Sequence, residues 1–141
     1  LVEGTAGQGT ALGWRFEHLQ AMLAGTDAPE RLAFCLDTCH MFAAGYDLRT
    51  AEVYEATMAE FDRLCGIDRL RCFHFNDAKK PLGSRVDRHD HIGTGQLGLD
   101  AFRFILNDPR LVDVPKILET EKSEDMHEDV ENLAVLRGLI G

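Results

Sequence analysis

Short apolar runs alternate along the chain with longer segments in which apolar residues recur at helical spacing. Four runs are short enough to be β-strands, although periodicity alone does not separate a strand from a buried helix. They cover residues 1–3, 32–37, 70–74 and 114–119. Strands and helical segments that follow one another in the order β-α-β-α-β-α-β-α predict an α/β fold with a parallel sheet covered by helices.

The segments between these runs carry their own helix signals. Apolar residues at helical spacing predict a first helix over residues 14–23. Thr50 is the predicted N-cap of a second helix that ends at Gly66, and a third helix is predicted over residues 101–107. Ser123 is the predicted cap of the last helix. The buried face of that helix is predicted to consist of Val130, Leu133, Leu136 and Ile140.

The polar residues that close the four apolar runs are spaced in a way that indicates the fold. They follow one another at intervals of 34, 37 and 45 residues, whereas a (β/α)8 barrel of about 250 residues has units of about 31 residues. The excess in the last interval lies in the glycine-rich segment 76–99, which is predicted to be a functional loop with no element of its own. Four such units make half of a TIM barrel. The strand-end residues are Glu3, Asp37, His74 and Glu119.

The amino-acid composition mainly excludes classes of protein. With 141 residues, 45% hydrophobic and 28% charged, the chain is typical of one globular domain and unlike a disordered segment or a disulfide-dense mini-protein. No apolar run approaches the ~20 residues that span a bilayer, and the first residues do not resemble a signal peptide. We therefore expect a cytoplasmic location without membrane contact, and reduced thiols. The cysteines are Cys35, Cys39, Cys65 and Cys72.

The net charge of −9 is informative about the kind of molecule that the chain binds. Proteins that bind nucleic acid usually carry an excess of Lys and Arg, because those side chains neutralise phosphates. Two interpretations remain open. Either the acidic residues bind metal cations that supply the positive charge, or the partner is not a nucleic acid.

The strand ends are the first candidate metal site. In parallel α/β folds, functional residues gather at the carboxyl ends of the strands. Three carboxylates packed together would repel one another, and a divalent cation relieves that repulsion. Because an imidazole joins them, zinc, manganese or iron suits the set better than calcium or magnesium. The alternative is that each residue is a solvated strand terminus.

A second candidate site combines His40, in the predicted loop after Asp37, with residues of the long loop. Asp87 and His89 are separated by one residue, so an extended backbone directs both side chains to one side, where they can hold one ion with His40. His91 competes with His89 for this role. The same loop is rich in bases, and it either contacts phosphates or is simply solvated. Those bases are Lys79, Lys80, Arg85 and Arg88.

Longer motifs resemble endonuclease IV, the family 2 apurinic/apyrimidinic endonucleases. The resemblance spans nearly the whole chain and corresponds to the C-terminal half of that family's proteins. It is carried by EGTAGQG at residues 3–9, CLDTCH at 35–40, FAAGYDLRT at 42–50, HFNDAK at 74–79, GSRVDRH at 83–89 and ILET at 117–120.

The resemblance implies that residues 1–141 form a single domain with the last four βα units of a TIM barrel. It also implies an enzyme with three zinc ions that cleaves double-stranded DNA 5′ to abasic sites. Glu3 would bridge the first and second ions and, with Glu119, act in catalysis. The second ion would be completed by Asp37, His74 and Glu119, and the third would be held by His40, Asp87 and His89.

The resemblance further implies that the first zinc takes two histidines from the N-terminal half of the barrel, so this half would be an obligatory partner within a monomeric complete enzyme. Arg88 is the predicted contact to a DNA phosphate. Two alternatives stay open: a two-metal sugar isomerase or epimerase on a similar barrel, and a non-catalytic fragment that binds zinc. The triplet Asp87-Arg88-His89 with His40 favours the nuclease, because a two-metal isomerase needs no third site.

Overall fold

A parallel four-stranded sheet forms the centre of the computed structural model, which describes residues 1–141. The chain has six strands, and the first, second, third and sixth of them form this sheet, side by side in that order and with every neighbouring pair parallel. The prediction of a parallel sheet is confirmed. The strands are β1 (Val2–Glu3), β2 (Phe34–Asp37), β3 (Leu70–Phe75), β4 (Asp77–Ala78), β5 (His89–Asp90) and β6 (Lys116–Leu118).

Five α-helices and three 3-10 turns connect the strands. All four predicted helices are present, and the Thr50 side chain caps one of them by accepting a hydrogen bond from Val53 N. None of the helices has the length and apolar character that crossing a membrane requires. The helices are α1 (Phe16–Ala24), α2 (Thr38–Ala44), α3 (Ala51–Cys65), α4 (Leu99–Asn107) and α5 (His127–Arg137).

Helix α2 was not predicted, and the assignment of His40 to a loop is wrong. The Asp37 carboxylate caps this helix, because its Oδ1 accepts hydrogen bonds from the backbone N–H groups of Cys39 and His40. Gly45 ends the helix with φ 109°. Seven residues are too few to show the helical periodicity on which the prediction depended, so the cap was the only available signal.

The last helix also differs from the prediction. It begins at His127, after Met126, so Ser123 is not its N-cap. The Ser123 hydroxyl instead bonds side chains of the preceding turn and of the helix start. Of the four residues predicted to be buried, only Leu136 is buried, while Val130 and Ile140 are exposed. The helix contacts the core through Leu136 and through the polar Asn132, which a purely apolar pattern does not reveal.

The long loop has internal structure, contrary to prediction. Strands β4 and β5 form an antiparallel pair inside it. Both carboxylate oxygens of the buried Asp77 accept backbone hydrogen bonds, from the N–H groups of Ala78, Gly93, Leu97 and Gly98. Gly95 must be glycine at this point, because a Cβ would lie 2.5 Å from Asp77 Oδ1. Asp77 therefore holds the two ends of the loop together.

Replacing Asp77 with Ala is expected to lower the free energy of unfolding by about 3 kcal/mol or more, since hydrogen bonds to a charged group are worth about 1.5–3 kcal/mol each. Urea-induced unfolding measures this change. Asp100→Ala, on the exposed surface of α4, is the matched control and should cost less than about 1 kcal/mol. Equal stability of the two variants would contradict the role assigned to Asp77.

The hydrophobic core lies between the sheet and the helices. Phe34, Leu36 and Phe73 are fully buried in it, where Phe34 packs edge-on against Phe61 of α3 at 6.0 Å between ring centroids. Alternation along the strands directs these three residues to the helix layer and the strand-end ligands to the opposite face, which is the barrel interior. Ile117 of β6 is 49% exposed.

Candidate metal centre

The four strand-end residues converge, as their positions at the carboxyl ends of parallel strands predicted. One ligand atom from each of the four lies within 4.8 Å of the others. His74 is central: its Nδ1 lies 2.9 Å from Glu3 Oε1 and 3.1 Å from Glu119 Oε2. Glu3 is the last residue of β1 and Glu119 directly follows β6, the two edge strands of the sheet, which a flat sheet would hold about 14 Å apart at ~4.8 Å per strand. Curvature of the sheet and long side chains bring the two carboxylates together. The residues of this first cluster are Glu3, Asp37, His74 and Glu119.

Asp37 is the completely buried carboxylate of this cluster. Burial raises its pKa, although His40, His89 and the hydrogen bonds from the His40 backbone and the Asn76 amide act in the opposite direction. Asn76 Nδ2 donates to Asp37 Oδ2 at 2.7 Å. A buried carboxylate whose charged form is disfavoured by burial is stabilised when a cation binds beside it.

A second cluster adjoins the first and consists of His40, Asp87 and His89. The Nε2 atoms of both histidines lie 3.1 Å from the Asp87 carboxylate, one at each oxygen. Their Nδ1 atoms are each held by a backbone carbonyl, that of Gly4 for His40 at 2.9 Å and that of Glu119 for His89 at 3.1 Å. These carbonyls place the proton on Nδ1 and leave the Nε2 lone pairs directed at the same point, as in histidines that ligate metals.

The donor set of the second cluster fits a zinc ion. Two imidazoles and one carboxylate leave an open fourth position, as in catalytic zinc sites. His89 Nε2 is buried and has no hydrogen-bonding partner although Asp87 Oδ1 is close, and a buried polar atom without a partner is costly unless an unseen group satisfies it. Burial lowers the pKa of His40, but Asp37 and Asp87 outweigh that effect and raise it.

The two clusters form one continuous site. Asp37 Oδ2 lies 3.7 Å from His89 Nε2, and Glu3 Oε1 lies 3.5 Å from His40 Nδ1. Asp37 and Glu3 therefore lie between the two groups of side chains. Ions bound at both clusters would share these carboxylates or lie next to them, so that their charges act on one bound anion.

The structure separates the assigned ligands from the other candidates near them. His91 Nδ1 lies 3.1 Å from Asn132 Nδ2 of α5, away from both clusters. Cys39 offers its Sγ within 4.8 Å of ligand atoms of Asp37 and His89. It is fully buried, however, and burial raises the pKa of its thiol to about 12, which disfavours the thiolate that a metal ligand requires. The exposed guanidinium of Arg88 donates to the Asp87 carbonyl at 2.6 Å, at the rim of the site.

Several positioning residues were missed by the sequence analysis. Asn76 orients Asp37, and it is fixed in turn by Thr38, whose hydroxyl donates to Asn76 O at 2.7 Å and accepts from Asn76 N at 2.9 Å. Asp77 secures the loop that carries Asp87 and His89. The only sequence signal for these residues was their position directly after strand ends, and the sequence analysis used that signal for the metal ligands alone.

Fold and site together define a parallel α/β barrel protein with candidate metal-binding clusters at the carboxyl ends of its strands. The chain belongs to the xylose isomerase-like TIM barrel family, whose model matches residues 1–138. It supplies only part of such a barrel, because the chain spans about half the length of the curated relatives it matches.

Individual relatives show which members of this family the chain resembles. The chain is 60% identical over 140 residues to a probable endonuclease 4 of Chloroflexus aurantiacus, covering 99% of this chain and 49% of the relative. It is 61% identical to a probable endonuclease 4 of Geobacter sulfurreducens, covering 99% and 47%. The crystal structure of endonuclease IV from Thermus thermophilus matches with a TM-score of 0.85 and 43% identity, over 99% of this chain and 48% of that one. The resemblance to endonuclease IV is thus confirmed.

Proposed function

We propose that this chain supplies two of the three zinc sites of a DNA-repair endonuclease that hydrolyses the phosphodiester bond 5′ to abasic sites. It would form the C-terminal half of that enzyme. The observation that carries the proposal is the convergence of seven metal-binding side chains, in two adjoining clusters, at one mouth of the sheet. The similarity to proteins named endonuclease 4 supports the choice of substrate.

The chain's residues would divide between the two sites according to their contacts. Asp37, His74 and Glu119 would hold one ion. Glu3 would contribute both to that site and to the site that the missing half of the barrel completes. His40, Asp87 and His89 would hold the next. Bound zinc ions supply two things: they lower the pKa of water to about 7, and they neutralise the negative charge of a phosphate.

The surrounding residues hold the candidate ligands in the orientation that this chemistry requires. Backbone carbonyls of Gly4 and Glu119 fix the histidine tautomers, and Asn76 and the α2 N-terminus fix Asp37, so little reorganisation is needed when substrate binds. Glu3 and Glu119, both partly exposed, are the carboxylates that face the reacting phosphate. An acidic chain can act on DNA in this way because the positive charge at the centre comes from the ions.

The His40–Asp87–His89 cluster favours a nuclease over a two-metal sugar isomerase. An isomerase would use the four strand-end residues alone and would leave the second cluster without a role. In the proposed enzyme, the second cluster contributes a further cation next to the phosphate.

Incision of a duplex with one tetrahydrofuran abasic analogue tests the proposal. The complete enzyme, meaning this chain joined to the missing half of the barrel, is expected to cut that strand 5′ to the analogue. Chelation should abolish the cut and zinc should restore it. An undamaged duplex of the same sequence is the control. Aldose isomerisation without incision, or incision unaffected by chelation, would contradict the proposal.

A further inference from the structure

Two cysteines lie side by side next to the first cluster. Cys35 of β2 and Cys72 of β3 are partners in the register of the two strands, and Glu3 of β1 is the partner of Cys35 on its other side. Asp37 and His74 each follow one of the cysteines by two residues, and side chains two residues apart in a strand point to the same face. The two thiols therefore lie on the face of the sheet that carries the candidate metal ligands.

The two thiols and one imidazole are close enough to hold a single ion. The Sγ atoms of Cys35 and Cys72 and a ring nitrogen of His74 all lie within 4.8 Å of one another. Donor atoms around one tetrahedral ion are about 3.4–3.8 Å apart, because the bonds to nitrogen and sulfur measure about 2.0–2.3 Å. Small side-chain movements therefore bring the three donors to one ion. Both cysteines are free and buried, so little water competes with them for that ion.

This donor set differs in kind from the two clusters described above. Carboxylates and imidazoles suit zinc, whereas two sulfurs with one nitrogen are soft ligands that select soft ions. Buried thiols are protonated in the absence of a metal, so an ion has to displace both protons when it binds. An ion that bonds strongly to sulfur gains enough to do so, while zinc finds carboxylates and imidazoles close by. Cys39 offers only one sulfur, and its neighbours Asp37 and His89 are harder ligands.

His74 belongs both to this group and to the first cluster. Its Nδ1 lies 2.9 Å from Glu3 Oε1 and 3.1 Å from Glu119 Oε2. A neutral imidazole has one nitrogen lone pair and one N–H group, so it binds two cations at once only if it also loses that proton. An ion at the thiols and an ion in the first cluster therefore compete for this histidine.

We propose that Cys35, Cys72 and His74 form a site for one soft, thiophilic cation beside the first cluster, and that an ion bound there withdraws His74 from the zinc site. Two S–H protons leave to solvent and two metal–sulfur bonds form, with no change in oxidation state. The binding site stands independently of the proposed function, whereas its effect on incision rests on it. An enzyme built in this way loses activity when soft ions accumulate, even where zinc is abundant.

Titration of the complete, zinc-loaded enzyme with cadmium ions tests the site. Bonds between cadmium and thiolate sulfur give an ultraviolet charge-transfer band, which reports coordination independently of activity. We expect one cadmium ion per enzyme to produce this band, with the intensity of two sulfur ligands. Native mass spectrometry counts the cadmium and zinc ions in the same samples.

Cys72→Ala is the main variant, and Cys65→Ala on α3 is the matched control. Cys65 is also buried, but its Sγ donates to Phe16 O and belongs to none of the candidate metal groups. We expect Cys72→Ala to lose the band and to bind cadmium more than about tenfold more weakly, because even changes in residues that only support ligands cost about 10–100-fold in metal affinity. Cys35→Ala should behave in the same way, so the result does not depend on one substitution. Without cadmium, all of these variants should keep the zinc content of the unsubstituted enzyme.

Incision of the abasic-analogue duplex measures the effect on His74. At the cadmium concentration that saturates the band, the unsubstituted enzyme and Cys65→Ala should lose one zinc ion and most of their incision, whereas Cys72→Ala should keep both. A band that persists in Cys72→Ala and in Cys35→Ala would overturn the site. A band that depends on both cysteines but leaves zinc content and incision unchanged would overturn the competition for His74. Lack of incision by the zinc-loaded enzyme without cadmium would contradict the proposed function, while the band would still decide whether the thiol site exists.

Discussion

Replacing His89 with Ala is expected to remove about one zinc ion from the complete enzyme and to lower incision by more than 100-fold. The reason is that, in the proposed enzyme, His89 would supply one of three protein ligands of the second cluster, and its buried Nε2 has no hydrogen-bonding partner. Changes in residues that only support ligands cost about 10–100-fold, and loss of a ligand should exceed that. Metal analysis by mass spectrometry and single-turnover incision measure the two effects.

His91→Ala is the matched control, since it removes an imidazole from the same loop, two residues further on. His91 contacts Asn132 and not the metal centre, so zinc content and incision should remain close to those of the unsubstituted enzyme. The opposite result, with the His91 variant inactive and the His89 variant active, would show that the wrong histidine has been assigned.

The second large effect concerns the 141 residues by themselves. In the sheet, β1 pairs only with β2 and β6 only with β3, so each edge exposes unpaired backbone groups. Ile117 of β6 is 49% exposed. We expect this chain to self-associate in a concentration-dependent way, to bind at most two zinc ions and to show little incision. Light scattering coupled to size exclusion, metal analysis and the abasic-site assay measure these three properties.

Addition of the missing half of the barrel provides the control for that experiment. It should restore part of the incision and suppress self-association, because in the proposed enzyme it would pair both edges and would supply the remaining ligands of the first zinc. A monodisperse monomer that cuts abasic DNA at the full rate would show that these four βα units need no partner.

The sequence was informative where one physical rule was sufficient. The carboxyl ends of parallel strands meet at one edge of a sheet, so polar residues that close apolar runs could be placed together from their positions in the chain alone. The convergence of Glu3, Asp37, His74 and Glu119 follows from that rule. His89 was preferred to His91 because of its place in the family motif, and the structure shows why: the two side chains contact different parts of the molecule, the metal centre for His89 and α5 for His91.

Other features could not be predicted because they depend on contacts between distant segments. Helix α2 depends on the Asp37 cap and not on a periodic pattern. Asp77 looked like one more acid in a polar loop, whereas backbone N–H groups up to 21 residues away converge on it. The direction of Phe34 and Phe73 depends on which face of the sheet the helices cover, and apolar strands that are buried on both sides do not encode it.

The placement of Glu3 and Glu119 on opposite edge strands has a mechanical consequence. One cation can touch both carboxylates only while the sheet keeps the curvature of a closed barrel, because flattening separates the edges beyond the reach of the side chains. Ion affinity and strand curvature are therefore thermodynamically linked: an ion that prefers the curved sheet shifts the population toward it. Binding of the ion would set the spacing of the edges to which the remaining strands dock. Docking of those strands would in turn raise the affinity for the ion.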